Sequence, residues 1–492
     1  MYKLLLILKY LRKRRIAWVS LVAVTLCTAM VLVVISVMGG WLRMFLDTNH
    51  ALGGDVVIYT DQGAQGFGNY QAIIDGVKKS NLVKAAVADI ETGGLATFNN
   101  RKQELVQIKA FSDMSEVGKI NSFAHSLYRE YKQPLKQIDD DPSLSVDEKA
   151  RRVAALDAKG PTFDKPFPAD DYRHMMPGAP NSGFDAGNLP GIICGTDLIL
   201  PKTETGSYDR DKYDIYHAFV KLAVLDFSTI SSATPSMPTR TYWLVDDSKT
   251  GLWQVDFNTV YVPFDRLQRD IGMAAQYAPD GKTIVRPAHV TEIQIAVNQG
   301  VDVYKARDEI RKIVDAVAPP AFGQEALTVE SWDEHQAQFI SAVEHEKVTL
   351  TFLFGIISIV AVFLVFCIFY MIVVEKTRDI GIIKSVGATN WGVAQIFLGY
   401  GLLIGIIGAG MGLLGAYLIV HNINELHAWM GREMGVKIWD PRTYIFDTIP
   451  NTMQAADVIW IVSIAILSAV GGAIVPAIRA SRMHPVEALR WE

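Results

Sequence analysis

Four apolar runs set the organisation of this chain: Ile16 to Trp41, Thr349 to Val374, Val393 to Val420 and Val458 to Ile478. A helix needs about 20 mostly apolar residues to cross roughly 30 Å of hydrocarbon. Each run meets that length. The chain is therefore expected to be an α-helical membrane protein with four transmembrane helices in a 1+3 arrangement, at 16–41, 349–374, 393–420 and 458–478. The long stretch 42–346 between the first and second runs is mostly polar and is expected to fold outside the membrane. Over 492 residues the averages of 50% apolar and 20% charged content would suit a soluble protein. Clustering of the apolar residues excludes that reading.

Lys9, Arg12, Lys13, Arg14 and Arg15 precede the first run, which places the N-terminus in the cytoplasm. Alternation then puts 42–346 and the loop 421–457 outside, and 375–392 and the tail 479–492 inside. Within 1–15, Leu4, Leu5, Leu8 and Leu11 recur at helical spacing opposite Lys3, Lys9 and Lys13. That pattern suits a cytoplasmic amphipathic helix in the headgroup plane, with an extension of the first span as the alternative. The first run exceeds a signal-peptide h-region, so an uncleaved anchor is expected. Leu26 before Cys27 speaks against lipidation there. A net charge of -5 gives no footprint for nucleic acid. Of three cysteines, Cys27 and Cys367 fall in spans, which leaves Cys194 without an internal disulfide partner.

The outer region reads as α+β. Strand-like runs at Asp55–Thr60, Glu104–Ala110, Gly191–Leu200, Ala218–Phe227 and Glu292–Val297 alternate with helical patterns at Tyr70–Lys79 and Asp302–Val317. A polar insertion near 129–188 carries a short helix at Val146–Ala158, opened by the Ser145/Glu148 capping box and stopped at Gly160. Residues 332–347 keep helical character into the second span and predict a continuous stalk.

Little in the sequence suggests catalysis. Gly281-Lys282-Thr283 resembles the end of a phosphate loop, but Gln276 stands where the first Gly belongs, so a turn is expected. Glu334, His335, Glu344, His345 and Glu346, and likewise Asp170, Asp171 and His174, lack metal-site spacing and read as solvated faces. The spans hold no clear acid or base, which disfavours an ion pathway. The third span carries Gly399, Gly401, Gly405, Gly408, Gly410, Gly412 and Gly415, which suits either a sliding interface or static close packing.

Two segments carry a family resemblance. Glu375-Lys376-Thr377-Arg378-Asp379-Ile380-Gly381-Ile382-Ile383-Lys384-Ser385-Val386-Gly387-Ala388-Thr389 resembles the cytoplasmic coupling segment of FtsX-like and MacB-like ABC permeases. Ile380, Ile383 and Val386 would form one apolar face, flanked by Arg378 and Lys384, that fits a cleft on a partner. The tail, with Pro476, Arg479, Arg482, Pro485, Glu487, Ala488 and Leu489, is similar to the C-terminal signature of the same permeases. Lys9-Tyr10-Leu11, Ser36-Val37-Met38-Gly39-Gly40, Leu189-Pro190-Gly191 and Val260-Tyr261-Val262-Pro263 resemble the lipoprotein-releasing, LolC/LolE-type group. Thr28 and Ala29 depart from it where the family carries glycines.

The resemblance implies a bacterial inner-membrane permease without catalytic residues or a metal of its own. ATP and magnesium would be bound by a separate ABC ATPase subunit. It further implies a second permease copy or a paralogue, and a periplasmic lipoprotein carrier that receives cargo drawn from the outer leaflet. Force would pass by mechanotransmission through the stalks. Met38, Trp41, Phe363 and Phe366 are the residues expected to line cargo access among membrane lipids. The alternatives are the same mechanism applied to peptide or amphiphile export or to control of a cell-wall hydrolase, and an anchored receptor with no ATPase.

Overall fold

The structure, a computed structural model, describes residues 15–61, 65–98, 102–164, 189–203, 207–213, 215–229, 234–280, 282–318, 327–375, 377–434 and 449–484. The expected N-terminal amphipathic helix lies almost wholly outside the described residues, as do 165–188 of the polar insertion. The chain divides into two compact units, one of residues 1–44, 341–439 and 448–492, the other of 45–340 with 440–447. Helix α1 (Arg15–Gly53) contributes to both.

The 45–340 unit is α+β. Its strands are β1 (Val56–Tyr59), β2 (Val83–Phe98), β3 (Lys102–Phe111), β4 (Gly191–Gly195), β5 (Phe219–Val224), β6 (Thr239–Ser248), β7 (Thr259–Tyr261), β8 (Gln276–Tyr277), β9 (Ile284–Arg286), β10 (Glu292–Val297) and β11 (Thr328–Ser331). Nine form one sheet in the order β11-β1-β10-β2-β3-β7-β4-β6-β5, and β8 and β9 form a separate ribbon.

Strand β2 organises the sheet. Its first half pairs with β10, and its second half pairs with β3 on one edge and β5 on the other. Six strands, β2-β3-β7-β4-β6-β5, thereby close on themselves, which leaves no free edge in the ring. Closure needs Gly94, where a Cβ would stand 2.4 Å from Ile108 Cδ1 and 2.9 Å from the Ala223 carbonyl.

Helices α2 (Tyr70–Lys78) and, later in the chain, Val303–Val317 cover one face of the sheet. They bury Ile73, Ile74 and Val77, and Ala306, Ile310 and Val314, the three-and-four spacing read in the sequence. Against the opposite face lie α3 (Met114–Ile120) and an aromatic cluster in which the Phe123 and Tyr261 rings approach to 3.8 Å.

Strands β2 and β6 are absent from the sequence reading. Ala85, Ala86, Ala88, Gly93 and Gly94 give β2 little intrinsic strand preference, and pairing on both edges overrides it. Near its end strand β6 carries Asp246 and Asp247, both fully buried and both paired. Asp247 takes Arg210 Nε and Nη2 at 3.0 and 2.6 Å and the Thr196 hydroxyl at 2.6 Å. Asp246 accepts the Arg129 and Glu130 amides, each at 2.9 Å. The start of the polar insertion is thus tied to the ring, and its helix α4 (Val146–Asp157) is capped by Ser145 as expected. Helix Val303–Val317 is α5, with Asp302 accepting the Tyr304 and Lys305 amides.

Where α1 ends, the His50 ring stacks on Trp332 at 4.5 Å and its Nε2 meets Asp55 Oδ1 at 2.8 Å. Asp55 Oδ2 accepts the Val297 amide at 2.7 Å, and its carbonyl accepts the Trp332 amide at 3.0 Å. Burial alone would raise the Asp55 pKa, but the His50 and Val297 hydrogen bonds outweigh it and hold the carboxyl below its ordinary 3.8. A carboxylate depressed in this way adds stability above its unfolded pKa that is lost as pH falls through the folded one. Thermal melts should therefore show a falling unfolding temperature below about pH 4. His50→Ala should flatten that dependence; an unchanged profile would rule out the pair as its source.

The second unit is helical: α6 (Ala337–Glu375), α7 (Thr377–Ser385), α8 (Asn390–His421), α9 (Ile423–Glu433) and α10 (Ala455–Arg482), with the first part of α1. Among the described residues, Trp18–Gly53, Asn390–His421 and Ala455–Arg482 are long and apolar enough to cross a membrane. The second apolar run lies within α6, a single helix of 39 residues. The stalk differs from expectation. A short turn at Trp332–His335, opened by the Ser331 amide donating to Glu334 Oε2 at 3.0 Å, stops at Gln336 before α6 begins. Glu334 also pairs with Arg307, and His335 with Glu330 at 3.4 Å, so these residues serve structure at the helix start.

Close packing of α8 rests on three glycines. A Cβ on Gly405 would stand 3.1 Å from Ala469 Cβ and Ile466 Cα of α10. One on Gly408 would lie 2.9 Å from Val24 Cγ1, and one on Gly412 would lie 2.7 Å from the Thr25 carbonyl and 2.8 Å from Thr28 Cβ of α1. Gly410 and Gly415 meet nothing. The small surface that Thr28 and Ala29 fail to supply is provided by the facing helix.

Candidate functional site

The coupling segment forms an elbow between α7 and α8. The Ala388 amide donates to the Ile383 carbonyl at 3.2 Å and the Gly387 amide to Lys384 at 3.0 Å, a Schellman closure with Gly387 at φ +103°. Two residues on, Thr389 caps α8 by accepting the Gly392 amide at 3.1 Å. Gly387 is required by its backbone angle alone, since a Cβ there would meet nothing. Gly387→Ala should cost ~1–2 kcal/mol by forcing an L-residue into a left-handed conformation. A thermal shift on the purified protein would measure it, and an unchanged melt would show that the elbow relaxes.

Lys384 joins the elbow to the tail. Its Nζ donates to the Ser481 and Met483 carbonyls at 2.8 and 2.6 Å, satisfying the open end of α10. Ile380 and Gly381 are buried beside Val393, Ala477 and Ala480. The single apolar face expected of Ile380, Ile383 and Val386 is therefore not presented, because Ile380 packs inward and Ile383 is half-buried. The exposed apolar residues are Ile382, Val386 and, from the first turn of α8, Trp391, at 49%, 84% and 66% exposure. Glu375 and Arg378 lie exposed nearby and Asp379 half-buried, while Ala388 packs against the helical core. Pro476 is buried in α10, Arg482 is exposed, and the Arg479 guanidinium sits 4.9 Å from the Tyr370 ring of α6. Lys376, Pro485, Glu487, Ala488 and Leu489 lie outside the described residues.

Away from the elbow, α1, α6 and α10 line a partly open cavity of about 310 Å³. Asp457, Trp460 and Thr351 line one end; Val24, Val362 and Ala469 line the other, with Thr28, Val31 and Ile461 between. From Asp457 to Ala469 a helix rises about 18 Å, over half the hydrocarbon thickness. The polar end is the one remote from the elbow, because α10 runs from Asp457 toward the tail that Lys384 holds. A mainly apolar groove with a carboxylate at one end suits an alkyl chain carrying a polar head.

None of the four residues expected to line cargo access is in the cavity wall. Met38 and Trp41 lie beyond it on α1, half-buried. Phe363 and Phe366 stand 6.0 Å apart in an aromatic row with Tyr370 along α6. Residues 457, 460, 461, 464 and 468 do recur at helical spacing, but in a uniformly apolar span that stripe has no contrast.

Residues 351–485 match the family described as FtsX-like permease C-terminal. This C-terminal part of the chain is that of an FtsX-like permease. Among its relatives is the lipoprotein-releasing system transmembrane protein LolC of Xylella fastidiosa, 26% identical over 320 residues, which cover 62% of this chain and 72% of that protein. LolC of Neisseria meningitidis is 30% identical over 173 residues, 35% of this chain and 42% of its own. The periplasmic region of MacB from Actinobacillus actinomycetemcomitans aligns with 59% of this chain and 94% of its own at 7% identity and a TM-score of 0.29, too loose a likeness to carry an argument.

Proposed function

We propose that this chain is the permease subunit of an ABC transporter that extracts lipoproteins from the outer leaflet of the cytoplasmic membrane and passes them to a periplasmic carrier. The carrying observation is the cavity of about 310 Å³ between α1, α6 and α10, mainly apolar with Asp457 at one end. The LolC relatives, lipoprotein-releasing by name, support the same cargo. In this reading four helices cross the membrane, both termini are cytoplasmic, and two permeases, identical or paralogous, act with a separate ATPase. The ATPase seats on Ile382, Val386 and Trp391 at the elbow. Its closure moves α7 and, through Lys384, α10, which forms one wall of the cavity; α1 and α6 carry the displacement into the outer unit.

The test is ATP-dependent release of lipoproteins from proteoliposomes holding the chain and its copurified ATPase. ATPase binding without release would overturn the cargo and retain the permease; export of a peptide or amphiphile instead would redirect it. Val386→Asp should remove most ATPase copurification, because an exposed apolar contact of this kind contributes about 1.5–3 kcal/mol when buried. Its own melting temperature should stay unchanged. Full ATPase recovery with this variant would place the docking surface elsewhere.

A further inference from the structure

We infer that α9, between α8 and α10, is an interfacial helix whose apolar face inserts among the lipids of the leaflet remote from the coupling elbow. Ile423, Leu426, Met430 and Met434 recur at spacings of three, four and four and span about 80° of the helix, with Trp429 about 60° from Leu426 at the edge of this face and Glu425 and Arg432 in the sector beyond it. No residue of α9 is buried, and Leu426, Trp429 and Met434 are 38%, 50% and 63% exposed. A helix this amphipathic needs an apolar partner on one side.

The fold fixes which side is free. Asn424 Nδ2 donates to the Ile449 carbonyl at 3.2 Å and its Oδ1 accepts the Ile449 amide at 2.8 Å, so this side of α9 is held to the segment leading into α10. Asn451 Nδ2 reaches the Val420 carbonyl at 2.6 Å and secures the end of α8 to the same segment. Leu426 lies about 200° and Trp429 about 140° around the helix from Asn424, so both turn away from the protein. Tyr417, Leu418 and Ile419, at the end of the preceding helix, are exposed as well, and that helix is long and apolar enough to cross a membrane. Exposed apolar side chains at the end of α8 are thus followed along the chain by those of α9. Glu433 falls about 20° from Leu426 around the axis but nearly two turns further on, so the last turn, Met434 included, lies nearer the headgroups than the first. Such helices sit about 5–10 Å into the boundary between headgroups and acyl chains, where tryptophan is favoured.

The partner is the bilayer itself, and the inference stands independently of the cargo. The full chain is reconstituted in phosphatidylethanolamine and phosphatidylglycerol, and Trp429 emission is isolated as the difference from Trp429→Phe. Lipids brominated near the headgroup end of the acyl chain should quench this component more than lipids brominated near the terminal methyl. In the Trp429→Phe background, Leu426→Trp should be quenched in the same order and Glu425→Trp should escape. Absence of quenching at both 429 and 426 would overturn the inference, showing a face covered by protein or standing in water. Equal quenching at 425 and 426 would overturn it as well, because a lipid-inserted helix must show the contrast between faces.

Discussion

Ala465→Trp is expected to reduce ATP-dependent cargo release at least tenfold while ATPase copurification stays at the level of the unaltered protein. Ala465 is half-buried on α10 and faces the cavity, so the indole grows into existing space rather than into packed side chains. Overpacking a filled core costs about 1–3 kcal/mol, whereas growth into a void mostly avoids that penalty. The melting temperature should change little. Tenfold in release corresponds to about 1.4 kcal/mol of lost cargo interaction, a modest demand for a group that fills much of a cavity of about 310 Å³. Release at the normal rate would show that cargo does not use this cavity, whatever the ATPase does.

Gly412→Leu should be the most destabilising single change in the helical unit. Its Cβ would stand 2.7 Å from a backbone carbonyl and 2.8 Å from Thr28 Cβ, and Thr28 is itself buried with its hydroxyl on the Val24 carbonyl at 2.8 Å. Neither neighbour is a flexible side-chain end, so α1 and α8 must separate. Separation forfeits the van der Waals contact that holds helices together in lipid, where no hydrophobic drive replaces it. A loss of about 3 kcal/mol or more is expected. Gly410→Leu and Gly415→Leu, on the open side of the same helix, should melt within about 0.5 kcal/mol of the parent. Equal losses at all three positions would show that the contact with α1 is not what Gly412 provides, since leucine is the better helix former at each.

The contrast among these glycines marks where the sequence stopped being informative. All seven read alike as small residues in an apolar span. Only the path of α1 and α10 across α8 separates Gly405, Gly408 and Gly412 from Gly410 and Gly415. The coupling segment behaves similarly: its residue types and order are visible in one dimension, but the direction each faces depends on the bundle. Ile380 and Val386 looked equivalent, and the fold buries the first and exposes the second.

In the outer unit, strands with ordinary alternation such as β10 were legible, and so were helices with a capping residue, as at Ser145 and Asp302. Strand β2 was not, because alanine and glycine carry no strand signal and its stability comes from two pairing edges supplied by distant segments. Asp246 and Asp247 are charged residues in a strand that reads as a surface feature. Their burial becomes tolerable only when Arg210, Thr196 and the 129–130 amides are brought to them.

By itself the sequence determined the separation of apolar, span-length helices from a large polar unit, since helix length against bilayer thickness is a local constraint. It also carried the resemblance to FtsX-like permeases, through the elbow and the residues that begin the tail. Tertiary structure alone decided that Lys384 ties those two segments together, that β2 closes a ring, and that α1, α6 and α10 leave a cavity at the end remote from the elbow. Each of these depends on contacts between residues far apart in the chain, and in a span that is apolar on every face no periodicity reports which face is turned inward.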